Sequence, residues 1–191
     1  MRGRSWRAGC PVALDELAYL RVPHVAGAGG VREGELIVHA ALAEEVLDIF
    51  EELLLQGFPV ERMALVDEFA ADDHRSMAAN NTSGFNFRPN LTAPERLSWH
   101  SFGRAIDVNP LWNPYLRHPR LPAVEALAAG GGELEVLPPD ARAFVDRERA
   151  RPGLIVAGDA CHAAFTRRGW VWGGAWVDRI DYQHFEKPLA R

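Results

Sequence analysis

The strongest periodic signal in the sequence lies between Leu42 and Leu54, where apolar residues recur at spacings of three and four. This is the period of a helix that buries one face. Glu44 and Asp48 interrupt the apolar run, so the segment cannot cross a bilayer without burying charges. We therefore predict an amphipathic helix of a globular domain, which ends at Gly57.

Four other short segments have the composition or the alternation of strands. They are residues 62–66, 105–109, 170–172 and 181–186. In the second segment, alternation sends Ile106 and Val108 to the core and places Asp107 and Asn109 on the opposite face. We therefore expect a functional site, if there is one, on the face that carries Asp107.

A second helix is expected over residues 160–168, begun by Asp159 as its cap and ended by Gly169. At 191 residues, with 48% apolar composition, the chain is long enough for one sizeable core and too short for two ordinary domains. The prediction is an α+β fold, a single domain with a small antiparallel sheet flanked by helices. Residues 1–35 are expected to be an irregular segment packed on the catalytic domain, which is formed by residues 36–191.

Composition excludes several classes of partner. The formal net charge is -5, which gives no general attraction to nucleic acid or to anionic membranes. Gly27, Gly29 and Gly30 lack the flanking strand and helix of a nucleotide-binding loop, so we predict a turn there.

Cys10 and Cys161 match neither a paired-cysteine metal site nor a disulfide framework, and we expect unpaired thiols. We expect a monomer with no membrane span.

Residues 67–94 form a long polar segment that is either a functional loop or a disordered one. Phe85 and Phe87 alternate there with Asn86 and Arg88. This alternation favours an ordered, strand-like piece around Arg88.

Two clusters supply the residue types of a catalytic zinc site, which needs three protein ligands, an open position and a nearby carboxylate. They are residues 98–107 and 181–186. His100 and Asp107 are seven positions apart, ~10 Å along a continuous helix, which is too far for them to share an ion. A turn at Gly103 would fold His100 back toward Asp107 on the strand.

In the second cluster, Asp181 and His184 differ by three positions, so a regular strand would place them on opposite faces. Asp181 must lie on a turn or bend just before the strand if both residues serve one site. Trp170, Trp172 and Trp176 precede this cluster. They form either the wall of a pocket or an aromatic core followed by a turn.

The ordered residues of the two clusters resemble a known family. The first motif is Ser98-x-His100-x-x-Gly103-x-Ala105-x-Asp107, and the second is Gly169-Trp170-x-Trp172-Gly173-Gly174-x-Trp176 followed by Asp181-x-x-His184-Phe185. They are similar to the D-alanyl-D-alanine carboxypeptidase and L-alanyl-D-glutamate endopeptidase family, which includes VanY-type carboxypeptidases and phage endolysins. The resemblance implies the fold that this family shares with the Hedgehog signalling domain. It also implies a zinc peptidase that acts on bacterial peptidoglycan stem peptides, at the cell wall or outside the cell, although no export signal is recognisable.

The resemblance also assigns roles. It implies that His100, Asp107 and His184 are the zinc ligands, and that Asp181 is the general base. Many carboxypeptidase members have Glu at the position that corresponds to Asp181. The Asp in this sequence therefore favours an endopeptidase. Arg88 resembles an active-site arginine, which would stabilise the oxyanion or hold a substrate carboxylate.

Each assignment leaves an alternative open. Asp107 could instead cap a helix or stabilise a turn. Asp181 could be a hydrogen-bond partner of a metal ligand, and Arg88 could form a structural ion pair. Glu186 either orients His184 or is a solvated carboxylate. The rival function is a zinc-stabilised binding module without catalysis, which would have no need of a free base. The scissile bond, between L-Ala and D-Glu or before the terminal D-Ala, is not determined by the sequence.

Overall fold

The structure of the protein is a computed structural model that describes residues 1–90, 93–149 and 151–188. The helices are α1 (Ala43–Leu55), α2 (Asp73–Ala78), α3 (Ala123–Ala128) and α4 (Ala160–Thr166). The strands are β1 (Leu17–Val25), β2 (Val31–His39), β3 (Ala105–Asp107), β4 (Tyr115–Arg117), β5 (Glu135–Leu137), β6 (Val171–Trp172), β7 (Arg179–Asp181) and β8 (His184–Glu186). Short 3-10 helices cover Leu14–Glu16, Ala40–Leu42, Val66–Phe69, Trp99–Phe102, Pro139–Phe144 and Gly173–Ala175. The mixture agrees with the predicted α+β class.

Helix α1 confirms the periodic signal. Its buried residues are Val46, Ile49, Phe50 and Leu53. Each such side chain contributes on the order of 1.5–3 kcal/mol when it leaves water. Phe50 meets Phe165 of α4 edge to face, with ring centroids 6.2 Å apart. The two helices predicted from the sequence therefore share one core.

The prediction of an irregular segment over residues 1–35 is wrong in its secondary structure. Strands β1 and β2 form a long antiparallel hairpin, in which Leu17 pairs with His39 and Val25 with Val31. The turn predicted at the glycines joins them. Leu20, Val22, Leu36 and Val38 face the core. Arg21 and Pro23 lie between the buried residues of β1, but the proline is unusual in a strand, and the charged residues Arg32, Glu33 and Glu35 obscure the pattern of β2.

The strand predicted over residues 62–66 is absent, since only Arg62 forms an isolated bridge, with Asn81. The backbone groups of this segment bond elsewhere. The backbone N–H of Ala64 donates to the side chain of Asn81, at 2.8 Å, and the carbonyl of Met63 accepts from Glu35. These bonds satisfy the segment without a regular ladder of hydrogen bonds.

The polar segment predicted over residues 67–94 is ordered over residues 67–90, and residues 91 and 92 lie outside the described part of the chain. Ser83 exchanges two backbone hydrogen bonds with Asp107, of 3.0 and 2.9 Å. The backbone N–H of Asn86 donates to the carbonyl of His100. The segment is therefore built against the first chemical cluster, and it brings Arg88 toward that cluster.

Within the described residues, the strands form three antiparallel sheets in place of the single one predicted. Their strand orders are β1-β2, β3-β8-β6 and β5-β4-β7. Phe185 of β8 points into the core and stacks on Phe165, with centroids 4.1 Å apart. Its neighbour His184 therefore faces the other side of the strand.

The predicted cap of α4 and the predicted unpaired cysteines are present in the structure. The side chain of Asp159 accepts from the backbone N–H of His162 and caps α4 as expected. Cys10 and Cys161 are both free thiols, and Cys161 is buried. Across the described residues, every helix is too short or too polar to traverse a bilayer.

Candidate metal centre

Three donor atoms converge at one buried point of the structure. His100 Nε2 lies 3.1 Å from a carboxylate oxygen of Asp107 and 3.3 Å from His184 Nδ1. The other oxygen of Asp107 lies 2.9 Å from the same nitrogen of His184. Donor atoms at zinc distances of ~2.0–2.1 Å are ~3.3 Å apart in a tetrahedral shell. With one oxygen taken from Asp107, the three donor atoms all lie within 4.8 Å of one another, which is close enough for the three residues to share a metal ion.

A tight turn places His100 in this triangle. His100 lies in the 3-10 helix Trp99–Phe102, and its backbone N–H donates to the hydroxyl of Ser98. Gly103 follows with φ of 64°, and a Cβ atom there would lie 2.5 Å from the backbone nitrogen of His39. Glycine alone tolerates both conditions. The turn predicted at Gly103 is thus present, and the chain enters β3 two residues later.

Strand pairing supplies the other two donors. Asp107 of β3 and His184 of β8 are direct partners in an antiparallel register. Residues directly opposite each other in such a pair project from the same face. The predicted alternation of β3 and the position of His184 thus account for their meeting across 77 residues of sequence.

Each histidine is oriented by a hydrogen bond from its other ring nitrogen. His100 Nδ1 donates to the carbonyl oxygen of Gly84, at 2.6 Å. His184 Nε2 donates to a carboxylate oxygen of Glu186, at 3.1 Å. Such bonds leave the opposite nitrogen free to act as a donor to a metal. Of the two alternatives for Glu186, the structure favours orientation of His184.

The charges around the triangle favour a cation at its centre. Burial raises the pKa of Asp107, but the facing His100 and His184 outweigh this effect and hold that pKa well below its usual range. Burial lowers the pKa of His184, but the hydrogen bonds to Asp107 and Glu186 outweigh it and raise that pKa to about 10. A metal ion and a proton compete for the same imidazole nitrogen. The carboxylates of Asp107 and Glu186, which favour the protonated imidazole, would equally favour a metal ion that takes the place of this proton.

Asp181 stands apart from the triangle and lines the same cleft. The strand predicted over residues 181–186 is divided in the structure. Asp181 is the last residue of β7 and not part of a turn as predicted, and the turn at residues 182–183 separates it from His184 of β8. A Cβ atom on Gly173 would lie 2.8 Å from that of Asp181, so the glycine makes room for the carboxylate. Oxygen Oδ1 of Asp181 is shielded from solvent and has no hydrogen-bond partner within the described residues. Burial raises the pKa of Asp181 to about 7.

Arg88 lines the cleft and is also ion-paired. Its Nη2 lies 2.7 Å from a carboxylate oxygen of Asp73, and both side chains are largely buried. Its Nε is shielded and has no partner in the described part of the chain. Arg88 therefore forms an ion pair, as a structural role predicts, and it also lines the cleft, as a role in the active site predicts.

The cleft has a volume of about 220 Å³ and includes residues that the sequence does not single out. Tyr115, Arg179 and Gln183 are among them. Tyr115 pairs with Asp181 across β4 and β7, and its hydroxyl is buried with no partner in the described residues. No sequence signal marks Tyr115 and Arg179, because they enter the cleft through the pairing of β4 with β7, whereas Gln183 lies between Asp181 and His184 in the second cluster. Of the three tryptophans, Trp176 lines the cleft, whereas the other two are buried in the core.

Comparison with known protein families produced a match over the C-terminal half of the chain. The family model described as D-alanyl-D-alanine carboxypeptidase matches residues 92–187, which is half of the chain. The matched region contains the three metal-site residues and Asp181, and it begins after Arg88. Neither the search of curated proteins nor that of solved structures produced a match. The match to the family model over half of the chain shows that this protein belongs to the D-alanyl-D-alanine carboxypeptidase family.

Proposed function

We propose that the protein is a zinc-dependent peptidase that hydrolyses peptide bonds in bacterial peptidoglycan stem peptides. The observation that carries this proposal is the pairing of a three-donor triangle with one unpartnered carboxylate, Asp181, in a single cleft. A structural zinc site has four protein ligands, whereas a catalytic site has three and keeps one position open. Membership of the peptidase family supports the same reaction class.

His100, Asp107 and His184 would hold the zinc ion. When bound, zinc supplies a Lewis acid that polarises the scissile carbonyl and makes water a stronger acid. Asp181 accepts a proton from the attacking water at its carboxylate as the new carbon–oxygen bond forms. It then returns that proton to the amide nitrogen as the carbon–nitrogen bond breaks. The products are a carboxylic acid and an amine, and Asp181 is regenerated.

Arg88 lines the same cleft, and we expect it to act on the substrate there. The ion pair with Asp73 engages Nη2, and Nη1 donates to the carbonyl oxygen of Pro89, at 3.3 Å. The unpartnered Nε remains on the buried side. A planar group held in this way can stabilise charge that develops on the carbonyl oxygen, or can hold a substrate carboxylate.

Replacing Arg88 by Lys is expected to lower kcat/KM by about 10²-fold, the scale of one lost oxyanion donor. Lysine keeps the charge and loses the planar fork, and zinc content should not change. The matched control is Asp73→Asn, which removes the ion pair and keeps the guanidinium. A purely structural role for Arg88 predicts equal losses in the two variants. Steady-state kinetics together with metal analysis measures both.

Digestion of purified muropeptides followed by mass spectrometry tests the proposed function. Cleavage between L-Ala and D-Glu separates the first residue from the stem peptide, whereas carboxypeptidase activity shortens the stem by its terminal D-Ala. Asp181 favours the endopeptidase product, by the resemblance described above. Chelated protein serves as the control. Protein that binds zinc and yields no product from any muropeptide would support the binding module and contradict the proposal.

A further inference from the structure

A second arginine, Arg179, carries a free positive charge at the cleft. It lies on β7 two residues before Asp181, so both side chains project from the same face of the strand. Both residues line the cleft. Arg179 takes part in no ion pair within residues 1–90, 93–149 and 151–188. A half-buried cation in this position has its hydrogen-bond donors available to a ligand.

A stack of rings connects this guanidinium to the metal centre. Cζ of Arg179 lies 4.4 Å from the centroid of the Trp176 ring. Trp176 in turn packs on the imidazole of His184, with ring centroids 5.5 Å apart. A guanidinium that stacks on an aromatic face keeps the N–H groups at its edge free for a planar acceptor. The stack thus holds the guanidinium at a defined position relative to a metal-site residue.

The other cations that line the cleft are already engaged or exposed. Arg88 is bound to Asp73, at 2.7 Å. Arg96 is mostly exposed, and its Nε lies 3.8 Å from Glu95. Arg179 is therefore the cleft arginine best placed to receive a negative group from a bound molecule.

We propose that Arg179 is a specificity-determining residue that binds a free carboxylate on the substrate residue after the scissile bond. The inference rests on the proposed function and deepens it. Each of the two candidate bonds is followed by a residue with a free carboxylate. In one case this residue is the terminal D-Ala. In the other it is a D-Glu whose side-chain carboxyl forms the next peptide bond, so that its main-chain carboxylate is free. A guanidinium binds a carboxylate through two parallel charge-assisted hydrogen bonds. Arg179 would thus recognise the leaving residue, whereas Asp181 protonates its amine.

Three synthetic stem pentapeptides test this assignment. One is unmodified, one has its terminal carboxylate as an amide, and one has the free carboxylate of D-Glu as an amide. Wild-type protein should cleave the unmodified peptide about 10- to 100-fold faster, in kcat/KM, than the peptide amidated next to the cleaved bond. Arg179→Gln should bring the two rates together by slowing only the unmodified peptide. Arg179→Lys should retain part of the preference.

Arg117→Gln is the matched control, because Arg117 lies directly opposite Arg179 in the register of β4 and β7. Its Nε donates to Glu135, at 2.8 Å, and it does not line the cleft. This variant removes a neighbouring positive charge and should keep the wild-type preference. A wild-type preference that survives in Arg179→Gln would overturn the proposal. Zinc content and melting temperature verify that each variant is folded.

Direct binding separates failure of this inference from failure of the proposed function. If no peptide is cleaved by the wild-type protein, the proposed function is wrong. Calorimetry with the same three peptides and zinc-loaded protein then decides the role of Arg179. Tighter binding of the unmodified peptide, lost in Arg179→Gln, supports carboxylate recognition. Equal binding of acid and amide by the wild-type protein, or binding of neither, overturns it.

Discussion

Asp181→Asn is expected to lower turnover by roughly 10²- to 10⁴-fold, the usual scale of a lost general base. The amide keeps the shape of the side chain but cannot accept a proton at neutral pH. Zinc affinity should hardly change, because three other residues supply the converging donor atoms. Initial rates on stem peptides, measured beside zinc stoichiometry, check both parts of the prediction.

The matched comparison is Asp107→Asn, since an amide oxygen is a weaker zinc ligand than a carboxylate. Here both zinc occupancy and turnover should decline. Loss of zinc in Asp181→Asn, with retention in Asp107→Asn, would show that the two carboxylates have exchanged roles.

The pH profile provides a further measurement on the same variant. A general base works only when it is deprotonated, so kcat/KM should fall as pH drops through the pKa of Asp181. Burial raises that pKa to about 7 in the absence of metal, and a bound cation favours the carboxylate and lowers it. The wild-type decline should therefore have its midpoint at or below about pH 7. Asp181→Asn should lose this decline.

His100→Ala and His184→Ala are expected to abolish both zinc binding and hydrolysis. The intact protein should bind one zinc ion per chain, and two remaining donors make a poor site for it. The loss of affinity should exceed the ~10- to 100-fold that removal of an outer hydrogen-bond partner costs. Metal analysis after dialysis, together with hydrolysis before and after chelation, gives the result.

Glu186→Gln provides the graded control for these two variants. Glu186 accepts from His184 Nε2 and does not belong to the three-donor triangle. Its replacement should weaken zinc binding by about 10- to 100-fold and leave activity recoverable at high zinc concentration. Undiminished hydrolysis by metal-free protein would contradict the whole metal-dependent mechanism.

The parts of the site that the sequence predicts are those governed by local geometry. His100, Gly103 and Asp107 lie within one short segment, and the need for a turn between the first and last of them follows from helix dimensions. The alternation of β3 is likewise local, as is the break in regular strand geometry that must occur between Asp181 and His184, although the turn falls at residues 182–183 and not at Asp181. Both features are present in the structure.

The parts that escaped prediction depend on pairing between distant segments. Tyr115 and Arg179 reach the cleft because β4 pairs with β7, across more than 60 positions of sequence. The β1–β2 hairpin was missed although its two strands are neighbours in the chain. Its buried residues alternate with charged ones, whose cross-strand contacts, such as Arg21 with Glu33, are visible only in the paired structure. Residues 62–66 have the composition of a strand, but side-chain hydrogen bonds satisfy their backbone instead.

The placement of His184 beside Phe185 on β8 links metal occupancy to the folding equilibrium. One residue of this strand faces the metal centre, and the next stacks on Phe165 in the core. A ligand that binds only the folded chain adds about 2.7 kcal/mol to its stability at a free concentration 100 times its dissociation constant. Variants that loosen the packing around Phe185 therefore raise the zinc concentration at which half of the chains are folded. In a zinc-poor medium, the supply of the ion would set how much folded protein is present as well as how much is active.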